Sequence, residues 1–366
     1  MILKKIEYYE NKGKPNHWEI EDVEFVQLNI VVGLNATGKT LLITLISTLA
    51  QMISKNRNRI DEEHCCWSAK FLDKFNNDVY VYNLELINRI IVSEILTYNG
   101  KEVLKRSLGQ GQIFSCIKNE MLNISPPSKE LTLHVRRDME EFPFLEKLYN
   151  WATSFYTFDF TDKSISFLYD KKMITDFTSA LGLPSYLLHL LLKDEKNRNI
   201  IIEDFTSVGY PIDDLKNEKM ETPGIPKSIF IPTVKEKDLA CFTGYYEMSR
   251  GMSRVFSLIV IIEYLLSLKQ ECTIAIDDIG EGLDFDRSTK ITRLIFDKLK
   301  DSNIQLIASS NDRFLINAVD RTTLNILERE GHVVKSYNYS NSKEIFDDYE
   351  ITGLTNFDFF SGQMYK

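Results

Sequence analysis

Leu28-Asn29-Ile30-Val31-Val32-Gly33-Leu34-Asn35-Ala36-Thr37-Gly38-Lys39-Thr40 is the stretch on which the reading of this chain turns. Residues 28–32 are rich in β-branched side chains and predict a strand. They run directly into the pattern GxxxxGK[ST], and Leu41 to Leu49 continue with apolar residues at helical spacing. Strand, glycine loop and helix in that order predict a phosphate-binding loop. Gly33 and Gly38 let successive backbone N–H groups, from Leu34 through Thr37, curl around a phosphate, and the helix N-terminus adds its dipole. Lys39 would bridge β- and γ-oxygens, and the Thr40 hydroxyl would ligate Mg²⁺. The expected ligands are ATP and Mg²⁺.

Such a loop needs a carboxylate at the end of a neighbouring strand to orient the metal. Thr273-Ile274-Ala275-Ile276-Asp277-Asp278 supplies it. Asp277 closes four strand-forming residues and is the expected metal ligand. Asp278 stands beside it, where it could face an attacking water as the catalytic carboxylate. Taken alone, the pair would read as solvated charges at a strand end; the glycine loop changes that balance.

Outward from these two motifs the chain alternates. Residues 1–10 and 18–26 read as strands ahead of the loop. Val79-Tyr80-Val81-Tyr82-Asn83-Leu84 and Arg89-Ile90-Ile91-Val92 read as strands of an antiparallel accessory sheet. Residues 101–140 are mixed and polar with a loop at Ile124–Ser128, and a short helix follows over Leu145–Trp151. The region from about 171 to 227 is leucine-rich, then polar, and broken by Pro184, Pro211, Pro223 and Pro226; it reads as a helical insertion followed by a loop. Ser228-Ile229-Phe230-Ile231 restarts a strand. A long helix, the 273–276 strand, another helix and the strand Ile304–Ala308 complete an α/β pattern, with a mixed central sheet, largely parallel at its centre, and antiparallel N-terminal strands. One domain over 1–366 is expected, with an N-terminal lobe to about 170, the insertion, a C-terminal lobe over about 228–330 and a tail over 331–366.

Composition bounds the function classes. The 366 residues are 43% apolar and 27% charged, ample for a packed core. The formal charge is 44 − 53 = −9, which argues against coating nucleic acid by bulk electrostatics while leaving a local basic stripe open. Five scattered cysteines, none in a CxxC pair, suit a reducing cytoplasm. The N-terminus alternates like a strand and lacks the apolar run of a signal peptide. Val255–Leu268, the longest apolar segment, carries Glu263 and reads as a buried helix, so no membrane is expected.

Four stretches together resemble a family. Asp277-Asp278-Ile279-Gly280-Glu281-Gly282-Leu283-Asp284 is similar to the magnesium-site and D-loop stretch of ABC-type ATPases. Met248-Ser249-Arg250-Gly251-Met252-Ser253-Arg254, ahead of an apolar helix, resembles their signature loop. Ser309-Ser310-Asn311 ends a strand where that family carries a switch histidine. Residues 29–40 look like SMC and RecF-type heads, and the whole looks most like the AAA-type ABC-like ATPases of bacterial anti-phage systems, PARIS ATPases among them. The likeness covers roughly residues 1–50 and 230–320.

The resemblance implies a P-loop NTPase fold of the ABC-head kind, and a head-to-tail homodimer or larger homo-oligomer with ATP between subunits. Ser249 and Gly251 of one chain would meet the nucleotide held by the other, and Asn311 would stand near the γ-phosphate. It also implies a separate effector protein, with the chain as sensor or scaffold. Without the family frame, Ser249 reads simply as a helix N-cap. Asp278 replaces the family's glutamate, Asn311 its histidine, and Arg250 and Met252 a glycine and a glutamine. These departures predict slow hydrolysis. For the family's Q-loop glutamine the candidates are Gln110 and Gln112, whose plainer reading is a polar turn. A RecF- or SMC-like DNA-repair ATPase is the alternative function. A transporter subunit fits less well.

Two smaller features stay open. Arg136-Arg137-Asp138 reads as solvated charge or a phosphate contact. The aromatic C-terminal stretch Ile351–Phe360 reads as packing on its own core or docking a partner.

Overall fold

A computed structural model of the chain describes residues 1–55, 64–159, 183–219 and 230–366. The strands in chain order are β1 (Ile2–Glu10), β2 (Trp18–Glu24), β3 (Leu28–Gly33), β4 (His64–Leu72), β5 (Val79–Ile87), β6 (Ile90–Tyr98), β7 (Lys101–Ser107), β8 (Gln110–Ser115), β9 (Glu120–Ile124), β10 (Phe155–Asp159), β11 (Ile212–Lys219), β12 (Phe230–Glu236), β13 (Thr243–Gly244), β14 (Cys272–Asp277), β15 (Ile304–Ser309), β16 (Leu324–Glu330) and β17 (Val333–Asn338). The helices are α1 (Lys39–Ser54), α2 (Thr132–Val135), α3 (Pro143–Thr153), α4 (Leu183–Leu191), α5 (Glu195–Ser207), α6 (Arg250–Leu268), α7 (Phe285–Leu299), α8 (Arg313–Ala318), α9 (Lys343–Glu350) and α10 (Asn356–Ser361).

Fourteen strands form one mixed sheet in the order β10-β14-β15-β3-β16-β17-β2-β1-β4-β5-β6-β7-β8-β9. From β10 to β16 all neighbours are parallel; beyond β17 and β2 every pairing is antiparallel. β3, β14 and β15 are buried along nearly their whole length because both faces are covered. Val31, Ala275, Ile307 and Leu327 face one core, shared with α1, α3 and the antiparallel strands. Their neighbours Ile30, Ile276, Ala308 and Ile326 face a second core built from α4 to α10. The period-2 alternation of each strand thus sorts its side chains between two hydrophobic clusters.

The expected α/β class, the mixed central sheet and the antiparallel N-terminal strands are present. The accessory sheet differs from its expected form: β4 to β9 are not separate but continue the main sheet. Residues 101–124, read as mixed and polar, are three strands. Their signal is thin because one face is solvated and because a charge, Arg106, is buried in the pattern. That charge is matched by Glu94, which also accepts from the Tyr82 hydroxyl and the Thr132 hydroxyl at 3.0 and 2.7 Å.

Within the insertion, α4 and α5 are helical as expected, whereas residues 212–219, read as loop, form β11. Residues 171–182 and 220–229, with Pro223, Pro226, Ser228 and Ile229, lie outside the described residues. β12 belongs to a small antiparallel sheet of β11, β12 and β13, not to the parallel one. The turn at 331 joins β16 to β17, so the main sheet extends into the segment read as a tail. Beyond it Phe346, Phe359 and Phe360 are buried in the second core. Among the described residues α6 alone is long and apolar enough to cross a membrane, and 72% of that stretch is buried inside the fold against α4, α5 and α7.

Candidate functional site

Parallel α/β sheets offer their ligand crevice beyond the carboxyl ends of the strands, and there the loop after β3 sits. Gly33 is fixed by crowding: a Cβ on it would lie 2.4 Å from Thr37 Oγ1 and 2.9 Å from the Leu327 carbonyl oxygen. Thr37 closes the loop by donating its N–H and its hydroxyl to the Leu34 carbonyl at 3.3 and 2.9 Å. Ala36 and Gly38 take positive φ, 64° and 101°, a backbone reversal that turns N–H groups toward one concavity.

Gly38 is the N-cap of α1 and brings no capping side chain. The neighbouring helices α6, α7 and α8 are each capped by their own Ser249, Asp284 or Asp312. The first-turn N–H groups of α1 are therefore left to an outside acceptor, which is the physical requirement of an anion site. Lys39 is buried, and its ammonium donates to the carbonyls of Gly33 and Leu34 at 2.9 and 3.2 Å. Burial lowers its pKa, with Asp278 and Asp277 opposing. Leu34, Asn35, Ala36 and Thr40 are exposed.

The adjacent strand ends converge on the same spot. β15 lies between β3 and β14, with Ser309 in register with Val31 and Ala308 with Ile276. Asp277, half-buried, accepts a hydrogen bond from the Ser309 hydroxyl. Ser309 Oγ in turn accepts from the Asp278 N–H at 2.9 Å, and its carbonyl accepts from the Ile279 N–H at 3.0 Å. Asp278 sits at φ 47°. Burial raises its pKa, Asp277 and Glu281 add to the rise, and Lys39 and Arg254 oppose it. Asn311, exposed just past β15, donates to Asn35 Oδ1 at 3.1 Å and so touches the phosphate loop. The structure thus gathers residues 33–40, Asp277, Asp278 and Asn311 at one place.

Ser249 and Gly251 form a second cluster. Ser249 caps α6 by accepting from the Met252 N–H at 3.2 Å. A Cβ on Gly251 would meet Tyr210 Oη at 3.1 Å and the Gly282 carbonyl and Leu283 side chain, both at 3.3 Å. The signature-like loop therefore packs on the 280–284 loop of its own chain. Gln110 and Gln112 lie on β8, nine strands from β3 in the sheet order, and Gln112 bonds to Asn123 at 3.1 Å. The sequence reading missed Ser309, whose one signal was a small polar residue closing a fully buried strand.

Among the described residues no trio of His, Cys, Asp or Glu is placed to hold a metal by itself. A carboxylate such as Asp277 and a hydroxyl such as Thr40 are donors that Mg²⁺ takes together with substrate phosphates and water. Asp277 and Thr40 are the residues that would hold it.

Comparison with known proteins places the fold. No protein family profile matches the chain, and no curated protein does. Among solved structures it is similar to an SMC head bound to the C-terminal winged-helix domain of ScpA, at 13% identity and TM-score 0.55, covering 92% of this chain and 97% of that one. A Pyrococcus furiosus-derived SMC head with an extended coiled coil, bound to the C-terminal domain of ScpA, gives 13% identity and TM-score 0.56, covering 95% and 99%. The chain has the mixed α/β fold of SMC head domains, a P-loop ATPase fold.

Proposed function

We propose that this chain binds ATP with Mg²⁺, hydrolyses it slowly and assembles around it as a head-to-tail homodimer or larger homo-oligomer. One observation carries the reading: the uncapped α1 and the buried Lys39 lie beside the ends of β14 and β15, where Asp277, Asp278 and Ser309 are linked. The substrate phosphates would lie against the N–H groups of residues 34–40, with the Lys39 ammonium moving from the loop carbonyls to phosphate oxygens. Mg²⁺ would neutralise charge developing on the β- and γ-phosphates. Asp278 would orient the attacking water through a reach one methylene shorter than glutamate. Asn311, linked to Asn35, hydrogen-bonds but does not titrate.

Ser249 and the N–H groups near Gly251 would complete the nucleotide site of the partner copy. The resemblance to anti-phage ATPases supports a sensor or scaffold role with a separate effector protein. The fold likeness to SMC heads supports the alternative, a DNA-maintenance ATPase. Salt-dependent DNA binding in ATP would favour the latter.

The test is sizing and nucleotide titration of the protein and of Lys39→Ala, with and without ATP–Mg²⁺. The native chain should assemble only with ATP–Mg²⁺. The variant should stay unassembled and bind ATP about 100-fold more weakly, as expected for losing charge-assisted bonds to phosphate. Equal binding by both proteins would refute the reading.

A further inference from the structure

Asp278 sits in the left-handed region at φ 47°, which aspartate tolerates better than most residues with a Cβ but still at a cost. Three groups hold its peptide there. Ser309 Oγ accepts from its N–H, the Glu281 N–H donates to its carbonyl at 3.1 Å, and the Arg254 guanidinium donates to that same carbonyl through Nη2. Arg254 Nη1 also pairs with the Glu281 carboxylate at 3.6 Å. The first two groups are local to the strand ends. Arg254 is not: it is a buried side chain of α6, just over one turn past Ser249.

We infer that Arg254 is a positioning residue for Asp278, fixing the peptide that aims its carboxylate and tying that peptide to the helix that begins at the signature-like loop. A planar fork is suited to this, since one guanidinium spans a carbonyl and a carboxylate at once; a lysine ammonium reaches only one of them well. Because α6 starts at Ser249, a shift of that helix end on meeting a nucleotide would be carried to the carboxylate of the same chain. One chain's contact with its partner's ATP would thereby set the water-orienting group of its own site. This inference rests on the reading of Asp278 as the carboxylate that orients water.

The experiment uses the full chain with Arg254→Ala, Arg254→Lys and, in parallel, Asp278→Asn. ATP affinity of the unassembled protein should stay within about a factor of two in both Arg254 variants, since Arg254 does not touch the phosphate loop. The Arg254→Ala kcat should fall about 10- to 100-fold at unchanged KM, the cost of misplacing a reacting group by about 1 Å. Lysine should restore only part of it. Amide exchange at Asp278, Ile279 and Glu281 should rise at least about tenfold in the alanine variant, while exchange in β3 and α1 is unchanged. Native kcat and native exchange in Arg254→Ala would overturn the inference. Asp278→Asn hydrolysing at the native rate would instead remove Asp278 from the chemistry, and exchange at those three amides would still decide whether Arg254 holds the peptide.

Discussion

At the residue scale the site divides into what a pattern announces and what only a sheet order reveals. Gly33, Gly38, Lys39 and Thr40 are legible because each does a job few residue types can do. A Cβ on Gly33 would clash with Thr37 Oγ1 at 2.4 Å, and Lys39 must carry its charge to a buried position. Asp277 follows from the rule that pairs such a loop with a strand-end carboxylate. Ser309 was not legible, since its role depends on β15 lying between β3 and β14. It holds Asp277 through its hydroxyl proton and the Asp278 N–H through its lone pair. Ser309→Ala strips both partners of a buried group, so the protein should lose about 1–3 kcal/mol of stability. With Asp277 free to rotate, the Mg²⁺-dependent share of ATP affinity should fall about tenfold, while affinity in EDTA stays native. Titrations with and without Mg²⁺ check this, and an unchanged Mg²⁺ effect would show that Asp277 needs no such brace.

At the element scale, legibility followed the hydrophobic pattern. β3, β14 and β15 were readable because both faces are buried and mostly aliphatic; β7 to β9 were not, because water covers one face and Arg106 interrupts the other. The insertion helices were readable from their leucines, but how they join the rest of the fold was not. They do so in part through a buried triad: Lys298 of α7 meets Asp204 of α5 at 2.9 Å and Glu263 of α6 at 2.8 Å. Burial lowers the Lys298 pKa, but the hydrogen bonds its ammonium donates to Glu263 and Asp204 outweigh that and leave it raised. Burial pushes the Asp204 carboxyl up to about 6, Lys298 pulls it down and Glu263 adds to the rise. A carboxyl with a folded pKa above its unfolded one binds more protons when folded. Its contribution is full below pH ~4 and is lost as pH rises through ~6, up to about 3 kcal/mol for two pKa units. Stability of the native chain relative to Asp204→Asn should therefore decline between pH 4 and 6 and level off above. Thermal melts of both proteins across that range read the difference. Parallel curves would mean that Asp204 is ionised throughout.

At the scale of the whole molecule, the face around the phosphate loop is itself unfinished as a monomer surface. Leu34 is 64% exposed, Phe285 63% and Phe314 38%. The Phe285 and Phe314 rings lie 5.4 Å apart, and Phe314 is three residues past Asn311, which bonds to Asn35 beside Leu34. The two aromatics stand at the starts of α7 and α8, just past the 280–284 loop and the Asn311 that touches the glycine loop. Single exposed apolar residues are ordinary on any protein, but an exposed pair of rings in contact has the makeup of an interface anchor. If a second copy closes over ATP here, the two rings are its anchors. Phe285→Ser with Phe314→Ser should then weaken ATP–Mg²⁺-dependent assembly about 30-fold, the effect of removing roughly 2 kcal/mol of anchoring. Binding of ATP to the single chain should remain native, because neither ring reaches residues 33–40 through the loop's own hydrogen bonds. Sedimentation over a concentration series separates the two quantities. Undiminished assembly in the double variant would place the contact between copies on another face and leave the two rings to a different protein.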